Sequence, residues 1–229
     1  MLIEWHSDRL WYWDTKTRHF GITNIHRMFV LKRDDGMLIV INPVELTTQL
    51  QLSLSEIGMV GQVIVSSPSY HYALSEWWLA YSDAYFLATP TVIQTRSDLN
   101  FDDALSSSTH PFLKGEVFQA SILGSNQPRK VLFCDPVSRT LLLPDILVMS
   151  QPQLPLSQRL YAVLNGASYA MSLPVWNRVQ INKTSLLRVS VQEVLTWPAD
   201  HILSSTGLIK KGGAKEAIYN AYRWAFKNI

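Results

Sequence analysis

The apolar positions of the first forty residues come in short blocks broken by polar turns, which predicts antiparallel strands. Leu10 to Trp13 is aromatic and flanked by polar residues. Met28-Phe29-Val30-Leu31 and Met37-Leu38-Ile39-Val40-Ile41 stand on either side of Lys32-Arg33-Asp34-Asp35-Gly36. Asp-Gly supplies the positive φ of a tight turn, so these runs predict a hairpin, which Pro43 ends. Thr47 to Ile57 carries leucines at 50, 52 and 54 and reads as a helix, with Thr47 or Thr48 as N-cap and Gly58 just past its end. Val63 to Val65 is continuously apolar, the pattern of a strand covered on both faces. Ala73 to Tyr81 predicts a helix packed through Leu74, Trp77, Trp78 and Tyr81, and Ala84 to Ala88 a strand closed by Pro90.

Arg96 to Lys114 is polar and predicts a surface loop. Val117 to Leu123, Lys130 to Cys134 and Thr140 to Leu143 read as strands, the last two joined by a turn over residues 135–139. Beyond Asp145 the period becomes helical, with Leu156, Leu160, Val163 and Leu164 on one stripe. Leu186 to Leu195 predicts a short helix, Trp197 to Ser205 leads through a strand, and Ala214 to Lys227 forms a last helix. On that helix Tyr219, Tyr222, Trp224 and Phe226 pack inward while Lys215, Arg223 and Lys227 line the outside. Strands and helices alternate in both halves without a linker, so one α/β domain spanning residues 1–229 is expected.

Composition narrows the function classes. In 229 residues, 47% hydrophobic and 17% charged positions suffice for a sizeable core. A formal charge of +2 gives no argument for a nucleic-acid partner. No apolar run approaches the roughly 20 residues of a membrane span, and Met1 to Asp8 lacks a signal-peptide apolar region. A cytoplasmic protein with no membrane partner is expected. The single cysteine, Cys134, excludes an intramolecular disulfide, and its apolar surroundings predict a buried, inert thiol. Eight tryptophans leave room for an exposed patch and self-association as a homo-oligomer. Gly166-Ala167-Ser168-Tyr169-Ala170 mimics a nucleophile elbow, but a helix precedes it where the motif needs a strand. Gly207 to Lys215 has the glycines of a phosphate loop, yet Gly213 stands where the lysine belongs, which leaves a glycine-rich turn beside Lys210 and Lys211.

One stretch carries more. Val63-Ile64-Val65-Ser66-Ser67-Pro68-Ser69-Tyr70-His71 is a strand, a loop and the start of a helix. With Leu10-Trp11, Phe20-Gly21, Arg27-Met28, Asp35-Gly36, Glu76-Trp77, Ser138-Arg139-Thr140-Leu141 and Pro144-Asp145 in this order, the chain resembles the metallo-β-lactamase superfamily, and within it a branch catalogued only as a domain of unknown function. The resemblance implies a four-layer αββα sandwich with a cleft at one edge, where loops bring His and Asp to one or two metal ions. The superfamily's His-x-His-x-Asp-His loop falls on Ser66, Pro68, Tyr70 and His71. The later ligand positions fall on Asn126, Asp145 and Thr206.

Only His71 and Asp145 are strong donors in that set. Catalytic zinc takes three protein donors, and a proline ring offers none. No metal is therefore expected, and the resemblance implies a non-catalytic module for a small polar or anionic ligand, or a structural module. The alternative is a hydrolase with one weakly held zinc at an atypical mononuclear site around His71 and Asp145. A third reading is metal-free acid–base chemistry by a His71–Asp145 pair with Tyr70 as the acid. His201, near the last ligand loop, is the one plausible substitute ligand.

Overall fold

The computed structural model describes residues 1–19, 22–167 and 170–226. Seven strands form one sheet in chain order: β1 (Ile3–His6), β2 (Leu10–His19), β3 (Ile22–Lys32), β4 (Leu38–Ile41), β5 (Val60–Val65), β6 (Tyr85–Ala88) and β7 (Asp103–Ala104). Five more, β8 (Phe118–Ser121), β9 (Val131–Asp135), β10 (Thr140–Leu143), β11 (His201–Ser204) and β12 (Ile209–Lys210), form a second sheet in the order β12-β11-β10-β9-β8. Successive strand residues point to opposite faces, so each central strand serves two cores. Ile39, Ile41 and Ile64 meet Phe133, Leu142 and Leu203 between the sheets. Leu38, Val40, Val63 and Val65 point the other way, under helices α1 (Thr48–Ile57), α2 (Leu74–Ala80) and α3 (Pro90–Thr95).

Two further helices, α4 (Leu156–Leu164) and α5 (Val175–Val179), follow β10 in the chain. The outer face of the second sheet is covered by α6 (Thr184–Thr196) and α7 (Ala214–Tyr222), through Leu187, Val191, Ile218 and Tyr222. Cys134 lies in this core, and burial pushes its thiol up to about 12. The layers run helix, sheet, sheet, helix.

Local chemistry explains the boundaries. Thr47 caps α1 by accepting from Leu50 N at 3.2 Å, and Gly58 follows the last turn. Asp35 Oδ1 accepts from Met37 N, and Gly36 takes a φ of 85° in the hairpin turn. β2 and β3 are longer than their apolar runs, continuing through residues 14–19 and 22–27, whose backbone pairing makes up for their polarity. Phe20-Gly21 lies outside the described residues. Pro90 does not merely close β6: it opens α3, because a missing N–H costs nothing at the first helical position. The polar stretch 96–114 is partly structural, since it holds β7 and buries Leu105 and Leu113 between the sheets. The last helix ends at Tyr222 and tightens into a 3₁₀ turn over Arg223–Phe226, with Lys227 outside the described residues.

A buried ion cluster ties the sheets together at one edge. Arg9 donates from Nε to Asp135 Oδ1 at 2.9 Å, from Nη1 to Lys32 O at 2.7 Å and to Glu116 Oε2 at 3.1 Å, and from Nη2 to Glu116 O at 2.9 Å. Asp135 is fully buried, and its second oxygen accepts from Ser138 N.

Candidate functional site

The opposite edge carries the cleft. The C-terminal ends of β4, β5, β10 and β11 and the start of β9 converge there, leaving their following residues free to form a site. Asn42 is the knot. Its backbone takes a φ of 56°, its Oδ1 accepts from both Ser66 N and Ser66 Oγ at 2.9 Å, and its Nδ2 donates to Ser205 Oγ at 2.8 Å. Ser66 O accepts from Val131 N, and Ser205 O from Arg27 N, both at 2.8 Å, so the sheets are joined through backbone at this edge.

Asp145, the carboxylate expected at the site, is already engaged. Its Oδ1 accepts from Ser67 Oγ at 2.7 Å, and its Oδ2 from Ser69 Oγ at 2.9 Å and from Lys130 Nζ at 2.8 Å. Lys130 Nζ also donates to Asp145 O at 3.0 Å. Burial pushes the Asp145 carboxyl up, but the Lys130 ammonium and the two hydroxyls together hold it below the usual carboxylate range.

The remaining expected residues do not gather around it. His71 caps the short 3₁₀ turn Pro68–Tyr70, and its ring lies against Tyr72 with centroids 4.1 Å apart. Its Nδ1 is buried without a hydrogen-bond partner. Burial, then the Arg96 cation, lowers its pKa, partly offset by Asp98. The His71–Asp145 pair of the third reading is not made: the partners of Asp145 are the two serines and the lysine. Pro68 opens the turn and offers no donor. Tyr70 does face the site. It is buried, its ring sits edge-on to His26 at 6.0 Å, and burial, with the Asp145 charge second, raises its phenol well above the usual value. It stays protonated and can donate.

Asn126 sits apart, its Oδ1 accepting from Asn182 Nδ2 at 2.7 Å in a separate open groove beside Gly124 and Lys183. Thr206 Oγ1 bonds Ser204 Oγ at 2.9 Å on the cleft wall. His201 is displaced from the site altogether. It begins β11, at the far end from Thr206, and its Nδ1 accepts from Gly212 N at 3.0 Å. The elbow-like segment starts after α4, and its Ser168 and Tyr169 lie outside the described residues.

Beside Asp145 and Lys130 opens a cavity of about 270 Å³. Asn24, Gln158, Asn177 and Thr206 supply polar groups, and Leu147, Leu154 and Leu208 an apolar wall. The Oε1 of Gln158 is buried there without a partner. None of the three carboxamides, nor Lys130, stands out in the sequence. Lys130 reads as the ordinary polar residue that opens a strand, and the only local hint is that Ser67 and Ser69 interleave the ligand-loop positions.

No family model and no curated protein matches the sequence. Solved structures do match. The DIM-1 metallo-β-lactamase superposes with a TM-score of 0.66, at 11% identity, over 100% of this chain and 97% of that one. The mono-zinc form of the metallo-β-lactamase FIM-1 from Pseudomonas aeruginosa gives 0.65 at 8% identity, over 99% and 95%. The metal-soaked Flv1 flavodiiron core from Synechocystis sp. PCC6803 gives 0.66 at 11% identity, over 99% of this chain and 61% of that one. The chain has the metallo-β-lactamase fold.

That fold implies a metal, and the residues here do not fit one. Among the described residues no three His, Cys, Asp or Glu side chains converge. The best remaining carboxylate holds a fixed ammonium and two hydroxyls, so a divalent ion would have to displace a cation already bonded at 2.8 Å.

Proposed function

We propose that this metallo-β-lactamase-fold protein is a non-catalytic binding module, whose cleft takes a small polar or anionic ligand. The observation that carries the reading is the Lys130–Asp145 contact: a side-chain cation from the chain itself neutralises the carboxylate that would otherwise hold an ion. The cavity supports it. At about 270 Å³ it is near the small end of ligand sites, polar on one side and apolar on the other. Lys130 keeps one N–H beyond the two it gives Asp145, and Asn24 and Asn177 add further polar contacts. An uncharged polar head, or a single oxyanion reaching Lys130, matches this set.

Elemental analysis of untagged protein prepared without chelator tests the reading. Metal content below about 0.1 ion per chain is expected, because two weakly placed donors cannot retain an ion through purification. It is also expected to stay unchanged in His71→Ala and Asp145→Ala. Stoichiometric zinc, iron or manganese, lost in either variant, would overturn the proposal in favour of a mononuclear hydrolase.

A further inference from the structure

Helix α4 faces the wrong way for a core helix. Leu156, Leu160, Val163 and Leu164 recur at the spacing of one helical face, which normally turns toward the protein. Here that face is outward: Leu156 is 76% and Leu164 75% exposed. The inward face is the polar one. Ser157 Oγ donates to Thr23 O at 3.0 Å, Gln158 lines the cavity, and only Ala162 is buried. Helix α5 continues the surface, tied to the end of α4 by Val175 N donating to Asn165 Oδ1 at 2.8 Å, and it exposes Trp176 at 68% and Val179 at 72%. Of the twenty large apolar side chains exposed among the described residues, eight lie on α4 and α5, which the Asn165 contact holds together. Such clustering marks a contact surface, not scatter.

Charge says what it contacts. From Ile146 to Gln192 the chain has no Asp or Glu and four cations, Arg159, Arg178, Lys183 and Arg188. The other 182 residues carry 16 Lys and Arg against 18 Asp and Glu. Two copies of this surface would bring cations to cations with no carboxylate in the segment to pair them. An anionic lipid surface is complementary. Arg159 and Arg178 are interleaved with the exposed apolar side chains, Arg178 stacked over the Trp224 ring at 4.4 Å, so cationic heads stand at this surface while Leu160 and Trp176 enter the acyl boundary. We propose that α4 and α5 dock the protein on an anionic membrane surface, with the cavity that Tyr161 and Asn177 help to line beside the bilayer. No helix among the described residues is long and apolar enough to cross a membrane. Docking of this kind needs neither a membrane-spanning run nor a leader.

Vesicle flotation of the full chain tests this. Binding to phosphatidylcholine vesicles with about 30% phosphatidylglycerol should exceed binding to phosphatidylcholine alone by at least about tenfold, and should fall in about 0.5 M salt. Leu160→Glu with Trp176→Glu should abolish binding. Arg159→Gln with Arg178→Gln should weaken it about tenfold or more, while leaving the apolar face intact. All four side chains are exposed and only the Arg178 stack on Trp224 is lost, so thermal melts should fall by no more than a few degrees. Absence of binding to either vesicle would overturn the proposal. So would a concentration-dependent dimer, seen by sedimentation, that Trp176→Glu disperses, because the surface would then belong to a second copy.

Discussion

Arg9→Ala is expected to lower the unfolding free energy by about 3–5 kcal/mol, because it strands a fully buried carboxylate. Asp135 has no exposure to water, and its two oxygens are held by Arg9 and by Ser138 N. Removing the guanidinium also frees Lys32 O and Glu116 O, which lose their side-chain donors. For a chain of this size the loss corresponds to a fall in melting temperature of about 10 °C. The companion variant separates the causes. Arg9→Ala combined with Asp135→Asn should recover part of the loss, since no charge is then left unpaired. If the single variant melts within about 2 °C of wild type, the cluster is not the clamp described.

Lys130→Met should cost about 2–4 kcal/mol at pH 7, and the cost should shrink as the pH falls. The sign follows from Asp145. In the wild type the ammonium and two serine hydroxyls outweigh burial and hold the carboxyl low. That stabilisation is present above the ordinary carboxylate pKa and is lost only as pH falls through the depressed value. Without the ammonium, burial dominates and the carboxyl moves up. The variant's penalty is then present above the raised value and fades as the carboxyl protonates. Urea melts at pH 7 and pH 4 should therefore show a difference that narrows at the lower pH, the remainder being the ammonium's stabilisation, which persists until pH falls through the depressed value. A difference independent of pH would assign the loss to packing of the lysine stem and detach Lys130 from Asp145.

Much of the layering was legible because the chain follows local rules where it builds sheets. The Asp35-Gly36 hairpin, the helix between a threonine cap and Gly58, and the uninterrupted run Val63-Ile64-Val65 each have one physical reading, and the structure chooses Thr47 over Thr48 as the cap. Two signals had more than one. Pro90 suits both the end of a strand and the first turn of a helix, and only Thr89 in an extended conformation ahead of it decides for the helix. The stripe on α4 fixes a helix but not the direction it faces, since periodicity is the same for burial in a core or in a partner.

The site was less readable. The resemblance located the edge and named Asp145, Tyr70 and Thr206, which the structure does bring to the cleft. It also named Asn126, which sits in a separate groove, and His71, which lies against Tyr72; neither placement follows from spacing, because a loop residue's direction depends on bonds made elsewhere. What holds Asp145 is Ser67, Ser69 and Lys130, residue types so common at surfaces that only their convergence gives them meaning.

The Asn42 knot bears on any attempt to engineer this chain into a metalloenzyme. Installing imidazole at position 66 would forfeit the hydroxyl bond that Ser66 gives Asn42, in a spot where that serine is 1% exposed, and would crowd the strand end that also receives Ser205. The order of substitutions then matters more than their number. Asn42 and Lys130 must change before histidines can be accommodated, and each of those first steps loosens the protein before a cation is there to tighten it. The fold is thus insulated by its own scaffolding against a short mutational route to ion chemistry.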